Sequence, residues 1–135
     1  MSVKQAMSTS VIVVTPEDAA ARAADLLIEH DLTGLPVVDE QSHAVGIVSD
    51  LDLIYALRHG IDLSGTKVAE VMDTRPLFIE PETDLATVVD LMEQWRVRRL
   101  PVCERGRVVG VISRGDVLRE LHKVESQDAG ASVGG

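Results

Sequence analysis

Two serine–aspartate pairs are the residues of this chain whose types and spacing best suit ligand binding. Each pair ends the pattern Gly-h-h-Ser-x-x-Asp, where h is an apolar residue, at Gly46–Asp52 and again at Gly110–Asp116. A serine at the beginning of a helix places its hydroxyl beside free backbone N–H groups, which attract anions such as phosphate. An aspartate one turn later repels phosphate, but its oxygens accept hydrogen bonds from a diol such as that of ribose.

The same spacing also describes a helix cap that binds no ligand. In a capping box, a serine at the N-cap and an acidic residue three positions later bond reciprocally to backbone N–H groups. A single copy of the pattern would favour that interpretation. Two copies, each following a Leu-Pro-Val segment (Leu35–Val37 and Leu100–Val102), favour ligand binding, and one residue can serve both purposes.

Positive charge is needed to hold an anionic ligand, and this chain has little of it. There are 13 Lys and Arg against 22 Asp and Glu, which gives a net charge of −9. An acidic surface repels phosphate backbones, so the composition argues against a nucleic-acid-binding protein. The alternative for the basic residues is a solvated face that pairs with surface acids. The dense basic cluster is Arg96, Arg98 and Arg99, followed by Arg105, Arg107 and Arg114.

The sequence contains no recognisable catalytic or metal-binding set. Ser49 and Ser113 have no histidine at a useful spacing, and the Gly-rich loop of nucleotide hydrolases does not occur. The four histidines are scattered, which argues against a metal site. We expect the single cysteine, Cys103, to be a buried strand residue in a reducing, cytoplasmic protein. The sequence therefore predicts a protein that is not an enzyme and has no cofactor or metal; a slow nucleotidase is the enzymatic alternative.

The chain is an internal duplication. Val3–Val37 aligns with Val68–Val102 without a gap, and Val45–Leu57 aligns with Val109–Leu121 after the loss of one residue. The identical pairs are Val3/Val68, Met7/Met72, Thr9/Thr74, Pro16/Pro81, Glu17/Glu82, Ala21/Ala86, Asp25/Asp90, Leu26/Leu91, Leu35/Leu100, Pro36/Pro101, Val37/Val102, Val45/Val109, Gly46/Gly110, Ser49/Ser113, Asp52/Asp116 and Leu57/Leu121. Chance similarity does not place Pro, Gly and Ser-x-x-Asp in the same order twice.

Each repeat predicts the order strand, helix, strand, strand, helix, which is an α/β (α+β) fold. Short β-branched runs indicate strands, and apolar residues at i, i+3, i+4 and i+7 indicate a helix with one buried face. The predicted strands are Val11–Val14, Leu35–Val38 and Val45–Val48 in the first repeat, and Leu77–Ile79, Leu100–Cys103 and Val108–Ile112 in the second. The predicted closing helices are Asp50–His59 and Arg114–Lys123. The first helix of each repeat is predicted to bury one face, formed by Ala20, Ala23, Ala24 and Leu27 in the first repeat and by Leu85, Val88, Val89 and Met92 in the second. We expect repeats over 1–59 and 68–123, a linker over 60–67 and a flexible tail over 124–135.

In the order of these elements the sequence resembles the CBS-domain family. The resemblance rests on Val-x-x-h-Met near each start, Thr-Pro or Glu-Pro after the first strand, Leu-Pro-Val, and Gly-h-h-Ser-x-x-Asp. It covers about residues 3–122. It implies a tandem pair, or Bateman module, of two β-α-β-β-α repeats packed about a pseudo-twofold axis. Such pairs form two clefts for adenosine-type ligands such as AMP, ADP, ATP or S-adenosylmethionine.

The resemblance also implies which residues line one of these clefts, which we call the Asp116 site. The residues of one repeat would work there with the segment before the first strand of the other. The implied lining is Asp116 on ribose, Ser113 on phosphate, Arg98, Arg99 and Arg114 beside the phosphate, and Val111, Thr9, Ser10 and Leu32 around the base.

The second cleft, which we call the Asp52 site, departs from this pattern. Its implied lining is Asp52, Ser49, Ile47, Thr74, Arg75 and Val97. Thr33-Gly34 stands where the other repeat has Arg98-Arg99, and Asp50 stands where it has Arg114. Because an extra acid opposes a charged ligand, we expect this site to bind phosphorylated ligands more weakly, to be empty, or to hold an uncharged adenosine.

The functional expectation is a regulatory sensor that binds an adenosine-type ligand and signals by a conformational change. The resemblance implies a homodimer whose contact surfaces include the closing helices, acting on a separate regulated protein. The alternative is a ligand-free dimerisation or scaffold module acting on a protein partner. No apolar run approaches the length of a membrane span, so we expect neither a membrane nor a nucleic acid as partner.

Overall fold

Helices and strands follow the same order in both repeats. The computed structural model describes residues 1–75 and 77–134, with side chains as far as Ser126. The elements are α1 (Val3–Ala6), α2 (Ala20–Glu29), β1 (Gly34–Val38), β2 (Ala44–Ser49), α3 (Asp50–Arg58), α4 (Leu85–Trp95), β3 (Arg99–Glu104), β4 (Arg107–Ser113) and α5 (Arg114–Gly134), with short 3₁₀ turns at Leu63–Gly65 and Val68–Glu70. The mixed α/β (α+β) fold predicted from the sequence is confirmed.

The chain divides into two compact units that do not coincide with the two repeats. Unit 1 comprises Met1–Val11, Phe78–Glu104 and Val109–Gly135, and unit 2 comprises Ile12–Leu77 and Arg105–Val108. Each unit therefore contains the body of one repeat together with the initial segment of the other.

In unit 1 the N-terminal segment is hydrogen-bonded to the second repeat. The Val3 N–H donates to the Thr83 carbonyl at 2.8 Å, and the Leu85 N–H donates to the Met1 carbonyl at 3.0 Å. Further along, Ser8 and Val111 form an antiparallel bridge. Strand β4, which pairs with β3, thus gains a second neighbouring segment from the other repeat.

Unit 2 repeats this arrangement with the roles of the repeats exchanged. The Val68 N–H donates to the Asp18 carbonyl at 2.8 Å, and the Ala20 N–H donates to the Thr66 carbonyl at 2.7 Å. Ile47, in β2, forms an antiparallel bridge with Asp73. The repeats have therefore exchanged their initial segments reciprocally, in keeping with the cross-repeat partnership that the family resemblance implies.

The predicted first strands, Val11–Val14 and Leu77–Ile79, are wrong in extent, because each contributes one bridge only. Val14 bridges Val37 in parallel, and Ile79 bridges Val102 in parallel. Proline accounts for this limit, since a parallel ladder through Val14 would next require an N–H group from Pro36 or Pro16. Neither proline has one.

The remaining strands form one antiparallel hairpin in each repeat, as predicted to within one or two residues at each end. In the first hairpin, Gly34 pairs with Ser49 and Val37 with Gly46, and a bulge follows Val37. In the second, β3 pairs with β4. Arg105 and Gly106 both have positive φ in the connecting turn, where glycine is the residue that adopts this conformation without strain.

The core of each unit is aliphatic. The predicted helix faces are confirmed, because Ala20, Ala23 and Leu27 of α2 and Leu85, Val88 and Met92 of α4 are buried, while Ala24 and Val89 are half-buried. The aromatic residues, by contrast, are exposed: Tyr55 by 67%, Trp95 by 56% and Phe78 by 42%.

Cys103 is buried in β3 as predicted, with 1% of its surface exposed. Burial raises the pKa of its thiol to about 11, because the thiolate would lose its hydration. The thiol is therefore protonated and unreactive at neutral pH.

The two closing helices end differently from the predictions. Helix α3 ends at Arg58, with His59 as its C-cap, one residue earlier than predicted. Helix α5 runs to Gly134, past Lys123, because no proline follows and Glu125 is a good helix former. The flexibility of the tail over 124–135 stays a prediction. Within residues 1–75 and 77–134, none of the helices combines the length and the apolar character that crossing a membrane demands.

Candidate functional site

Both serine–aspartate pairs form complete capping boxes. The Asp52 N–H donates to Ser49 Oγ at 3.2 Å, and the Ser49 N–H donates to Asp52 Oδ2 at 2.9 Å. The corresponding distances for Ser113 and Asp116 are 3.1 and 2.8 Å. The capping interpretation is therefore confirmed at the beginning of both α3 and α5. Because capping uses only Oδ2, it leaves the second carboxylate oxygen of each aspartate for other partners.

The second oxygen has different surroundings in the two repeats. Asp116 Oδ1 accepts a hydrogen bond from Arg119 Nη2 at 2.5 Å. Among residues 1–75 and 77–126, no hydrogen bond or ion pair reaches Asp52 Oδ1. Tyr55 stands at the position equivalent to Arg119. The sequence prediction missed Arg119, although an arginine three residues after an aspartate on a helix is a recognised signal for such a pair.

The glycine of each Gly-h-h-Ser pattern lets the exchanged segment lie close to the strand. A Cβ at Gly110 would lie 2.7 Å from Met7 Sδ and 2.8 Å from the Ser8 carbonyl oxygen. A Cβ at Gly46 would lie 2.8 Å from both Met72 Sδ and the Asp73 carbonyl oxygen. The methionine and glycine motifs are thus two sides of one contact, and each contact joins different repeats.

This contact places Thr9 and Ser10 in the same unit as the predicted Asp116 site. Ser8 and Val111 exchange two backbone hydrogen bonds of 2.9 Å. Because this bridge is antiparallel, Thr9 and Ser10 continue towards the Val109 side of β4, away from Ser113. Both side chains are exposed. The structure therefore places Thr9, Ser10 and Val111 in one unit with Ser113 and Asp116.

The arginines of the Asp116 site meet at the beginning of α5. The Arg114 N–H donates to the Arg98 carbonyl at 2.9 Å, which holds the chain before β3 against the first residue of the helix. Arg99 begins β3, the strand paired with β4. All three arginine side chains are exposed and lie in unit 1, whereas Leu32 lies in unit 2. Eight of the nine residues predicted for this site therefore belong to unit 1.

The Asp52 site is assembled in the same way within unit 2. Ile47 and Asp73 exchange backbone hydrogen bonds of 2.9 and 2.8 Å, and because this bridge is antiparallel, Thr74 and Arg75 continue towards the Val45 side of β2, away from Ser49. The Asp50 N–H donates to the Thr33 carbonyl at 2.9 Å. Of the predicted lining, only Val97 lies in unit 1.

The two sites differ in charge where each helix begins. At α5 the backbone contact joins Arg114 to Arg98, and at α3 the equivalent contact joins Asp50 to Thr33. The exposed Arg75 of the Asp52 site has its own acidic neighbour, since its Nε lies 3.7 Å from Asp73 Oδ1. Positive charge is therefore concentrated at the Asp116 site, and negative charge surrounds the Asp52 site.

The remaining basic residues do not join this cluster. Arg96 is the exposed C-cap of α4 in the left-handed conformation. Arg105 lies in the hairpin turn and Arg107 begins β4, and both belong to unit 2. In the part of the chain whose side chains are described, no three His, Cys, Asp or Glu residues are grouped as a metal site would require.

A groove between α4 and α5 gives unit 1 an apolar surface. Its volume is about 420 Å³, and its lining is Val89, Met92, Glu93, Arg114, Val117, Leu118 and Leu121. In unit 2, helix α3 also exposes apolar side chains, namely Leu51, Ile54, Tyr55 and Leu57. Apolar surfaces of this kind mark sites where another molecule binds.

Known proteins share both the sequence pattern and the fold. The model of the CBS domain matches residues 3–59 and 68–123. The chain is 34% identical over 135 residues to the CBS domain-containing protein YhcV of Bacillus subtilis, a match that covers 98% of this chain and 92% of that protein.

Two solved structures resemble the chain and contain adenosine compounds. The complex of CBSX2 from Arabidopsis thaliana with AMP has a TM-score of 0.80 at 32% identity and covers 92% of this chain and 98% of CBSX2. The CBS domain pair of MJ0100, in complex with 5′-methylthioadenosine and S-adenosyl-L-methionine, has a TM-score of 0.77 at 26% identity and covers 90% of this chain and 99% of its own. With a match at each of its two repeats, this chain belongs to the CBS-domain family.

Proposed function

We propose that this protein is a regulatory module that binds an adenosine-type ligand at the Asp116 site. One observation carries the proposal. A mostly buried carboxylate, the Ser113-capped start of α5 and two adjoining arginines, Arg98 and Arg114, occur together in unit 1. The AMP in CBSX2 and the adenosine compounds in the MJ0100 pair support an adenosine ligand.

Each group at this site has a distinct role. Asp116 accepts hydrogen bonds from the ribose hydroxyls, and Ser113 donates its hydroxyl proton to phosphate. The guanidinium groups of Arg98, Arg99 and Arg114 neutralise the phosphate, for which arginine is well suited. Thr9 and Ser10, from the other repeat, lie on the side of the base together with Val111.

The Asp52 site binds an uncharged adenosine-type compound or none. Asp52 retains a free carboxylate oxygen, so a ribose diol finds the same acceptor there. Asp50 at the beginning of α3 repels a phosphate, and Arg75 already has Asp73 as its neighbour. Ser49, Ile47 and Thr74 complete the lining.

The signal is a conformational change within each unit. The Thr9 segment and the strand that leads to Ser113 come from different repeats, and a ligand that contacts both favours the arrangement in which they are close. Such a ligand shifts the conformational equilibrium by its difference in affinity for the two states. The chain performs no catalysis in this scheme, because the groups at the site bind ligand without forming a nucleophile and base.

The conformational change is transmitted through surfaces that bind a protein partner. The apolar groove of unit 1 and the exposed face of α3 are contact surfaces of a homodimer, and a separate regulated protein receives the signal. Ligand binding next to Arg114, which lines the groove as well as the site, links the two.

Thermal unfolding with a panel of adenosine ligands tests the proposal. A ligand at 100 times its Kd stabilises the folded protein by about 2.7 kcal/mol, which raises the Tm visibly. We expect AMP or ATP to raise the Tm of the wild type and of Asp52→Ala, but not of Asp116→Ala. The Tm of each variant without ligand controls for the loss of its helix cap.

Two results would contradict the proposal. Nucleotide binding that survives Asp116→Ala but is abolished by Asp52→Ala would place the site in the wrong unit. If AMP, ADP, ATP, adenosine and S-adenosylmethionine all leave the Tm unchanged, the alternative of a ligand-free scaffold module holds instead. The exposed apolar helix faces are the observation that favours this alternative.

A further inference from the structure

We propose that Arg119 competes with the ribose diol of a ligand for Asp116 Oδ1, and thereby weakens the binding of any adenosine compound at the Asp116 site, a competition that the Asp52 site lacks. The inference rests on the proposed function, which assigns the diol to Asp116. It adds a residue that sets how strongly each site binds a ribose diol.

The contact between these residues is direct and involves the oxygen that the cap leaves free. Asp116 Oδ2 accepts the Ser113 N–H at 2.8 Å, and Asp116 Oδ1 accepts from Arg119 Nη2 at 2.5 Å. The Asp116 side chain is 14% exposed and the Arg119 side chain 70% exposed. The helix cap holds the carboxylate in place, whereas Arg119 lies mostly in solvent, so a ligand can displace the arginine.

The first repeat supplies a natural comparison. Tyr55 replaces Arg119, and its ring lies against His59, with the ring centroids 4.1 Å apart. The His59 ring is held there by a contact of 2.8 Å between its Nδ1 and the Tyr55 carbonyl oxygen. Within the described side chains, Tyr55 makes no hydrogen bond to Asp52. A diol therefore reaches Asp52 Oδ1 without displacing a competing group.

Charge decides which ligands overcome the competition. A diol that binds Asp116 Oδ1 must displace Arg119 from this oxygen, and the resulting loss of affinity is the same for nucleosides and nucleotides. A phosphorylated ligand recovers it through Arg98, Arg99 and Arg114, whereas adenosine brings no charge to these residues. The Asp116 site consequently binds a nucleoside more weakly than it would without Arg119, and a nucleotide offsets the same loss through the three arginines.

Adenosine binding measured by isothermal titration calorimetry tests this inference. The Asp52→Ala background leaves only the Asp116 site. Removing Arg119 there by Arg119→Ala should tighten adenosine binding roughly two- to fivefold, the value of an exposed charge pair. Arg119→Lys keeps the charge and should leave the affinity close to that of the background. In the reverse experiment, Tyr55→Arg in an Asp116→Ala background should weaken adenosine binding at the Asp52 site by a similar factor.

The salt dependence separates competition from a merely structural role of Arg119. Adenosine is uncharged, so salt affects its affinity here by screening the pair of Arg119 and Asp116. With Arg119 present, adenosine affinity should rise from low to high sodium chloride, and with Arg119→Ala it should stay constant.

The outcomes distinguish this inference from the proposed function. If AMP binds at the Asp116 site but Arg119→Ala leaves adenosine affinity unchanged or lowers it, the competition by Arg119 is refuted and the nucleotide site stands. If neither AMP, ATP nor adenosine binds to the wild type or to any variant, both the proposed function and this inference are overturned.

Discussion

Gly110 of the second repeat packs against Met7 of the first, so closely that a Cβ on the glycine would be 2.7 Å from the methionine sulfur. Met72 and Gly46 repeat this relationship in the other unit at 2.8 Å. These two contacts hold each exchanged segment against the strand that leads to a capping serine. The geometry of both candidate sites therefore depends on the absence of a side chain at two positions.

Gly46→Ala should lower the free energy of unfolding by about 1–3 kcal/mol, the usual effect of overpacking a well-packed site. The new methyl group would collide with the Asp73 carbonyl oxygen, which belongs to the backbone and cannot turn aside. Urea unfolding measures the loss. Gly34→Ala, in the same hairpin, is the matched control, because its nearest neighbour would be 3.5 Å away and we expect no loss of stability. Equal stability of the two variants would contradict the proposed close packing.

Asp50→Arg should convert the Asp52 site into one that accepts phosphate. The substitution gives α3 the positive first residue that Arg114 gives α5, and it removes the repulsion by the native carboxylate. In an Asp116→Ala background, calorimetry should show AMP binding about fivefold more tightly, the upper value for an exposed charge pair. Asp50→Asn removes the repulsion without adding attraction and should give a smaller gain. An unchanged AMP affinity in both variants would separate Asp50 from the ligand site.

Cys103 should make stability fall in alkaline solution. Burial raises the pKa of the thiol from 9.0 to about 11, so the folded protein keeps a proton that the unfolded chain releases. The stability that this proton maintains is complete below pH 9.0 and is lost as the pH rises towards 11. Above the folded-state pKa the loss reaches about 3 kcal/mol. Cys103→Val, which copies Val38 of the first repeat, should lack this part of the pH dependence in urea unfolding, and identical profiles for both proteins would contradict the prediction.

Leu118→Glu should dissociate the proposed homodimer. Leu118 lines the groove between α4 and α5 and is 69% exposed, so a charge there remains hydrated in the monomer but would be buried at an interface. Sedimentation velocity should show a dimer for the wild type and a monomer for the variant. Thr87→Glu adds the same charge to an exposed position of α4 outside the groove and should remain dimeric. A monomeric wild type, or a dimeric Leu118→Glu, would show that this groove is not the interface.

Local chemistry explains which parts of the fold the sequence predicted. Ala20, Ala23 and Leu27 are spaced at helical intervals and therefore form one apolar stripe. A helix with such a stripe is stabilised when that face packs against the core. The capping boxes at Ser49 and Ser113 use residues three positions apart, so their geometry is local. The hairpins were also predictable, because two short apolar runs with a brief connection pair with each other.

Long-range partners explain what the sequence did not predict. The bridge between Ser8 and Val111 joins residues far apart in the chain, and no period or spacing encodes it. The first strands are limited to one bridge each because Pro36 has no N–H group to extend the ladder. The effect of that proline can be predicted only when its pairing partner, the Val14 segment, is known. Arg119 was overlooked because an exposed arginine on a helix can form ion pairs with several neighbouring acids, and the sequence does not show that it pairs with Asp116.

The reciprocal exchange of initial segments has a consequence for the autonomy of each repeat. Each unit needs its own repeat and the leading segment of the other, so a gene fragment encoding one repeat would encode an incomplete core. Two copies of such a fragment could complete each other by trading those segments, as protomers do in domain swapping. The present chain corresponds to such a dimer with its two copies joined by the linker at 60–67, and because the two copies share one chain, their candidate sites differ in charge.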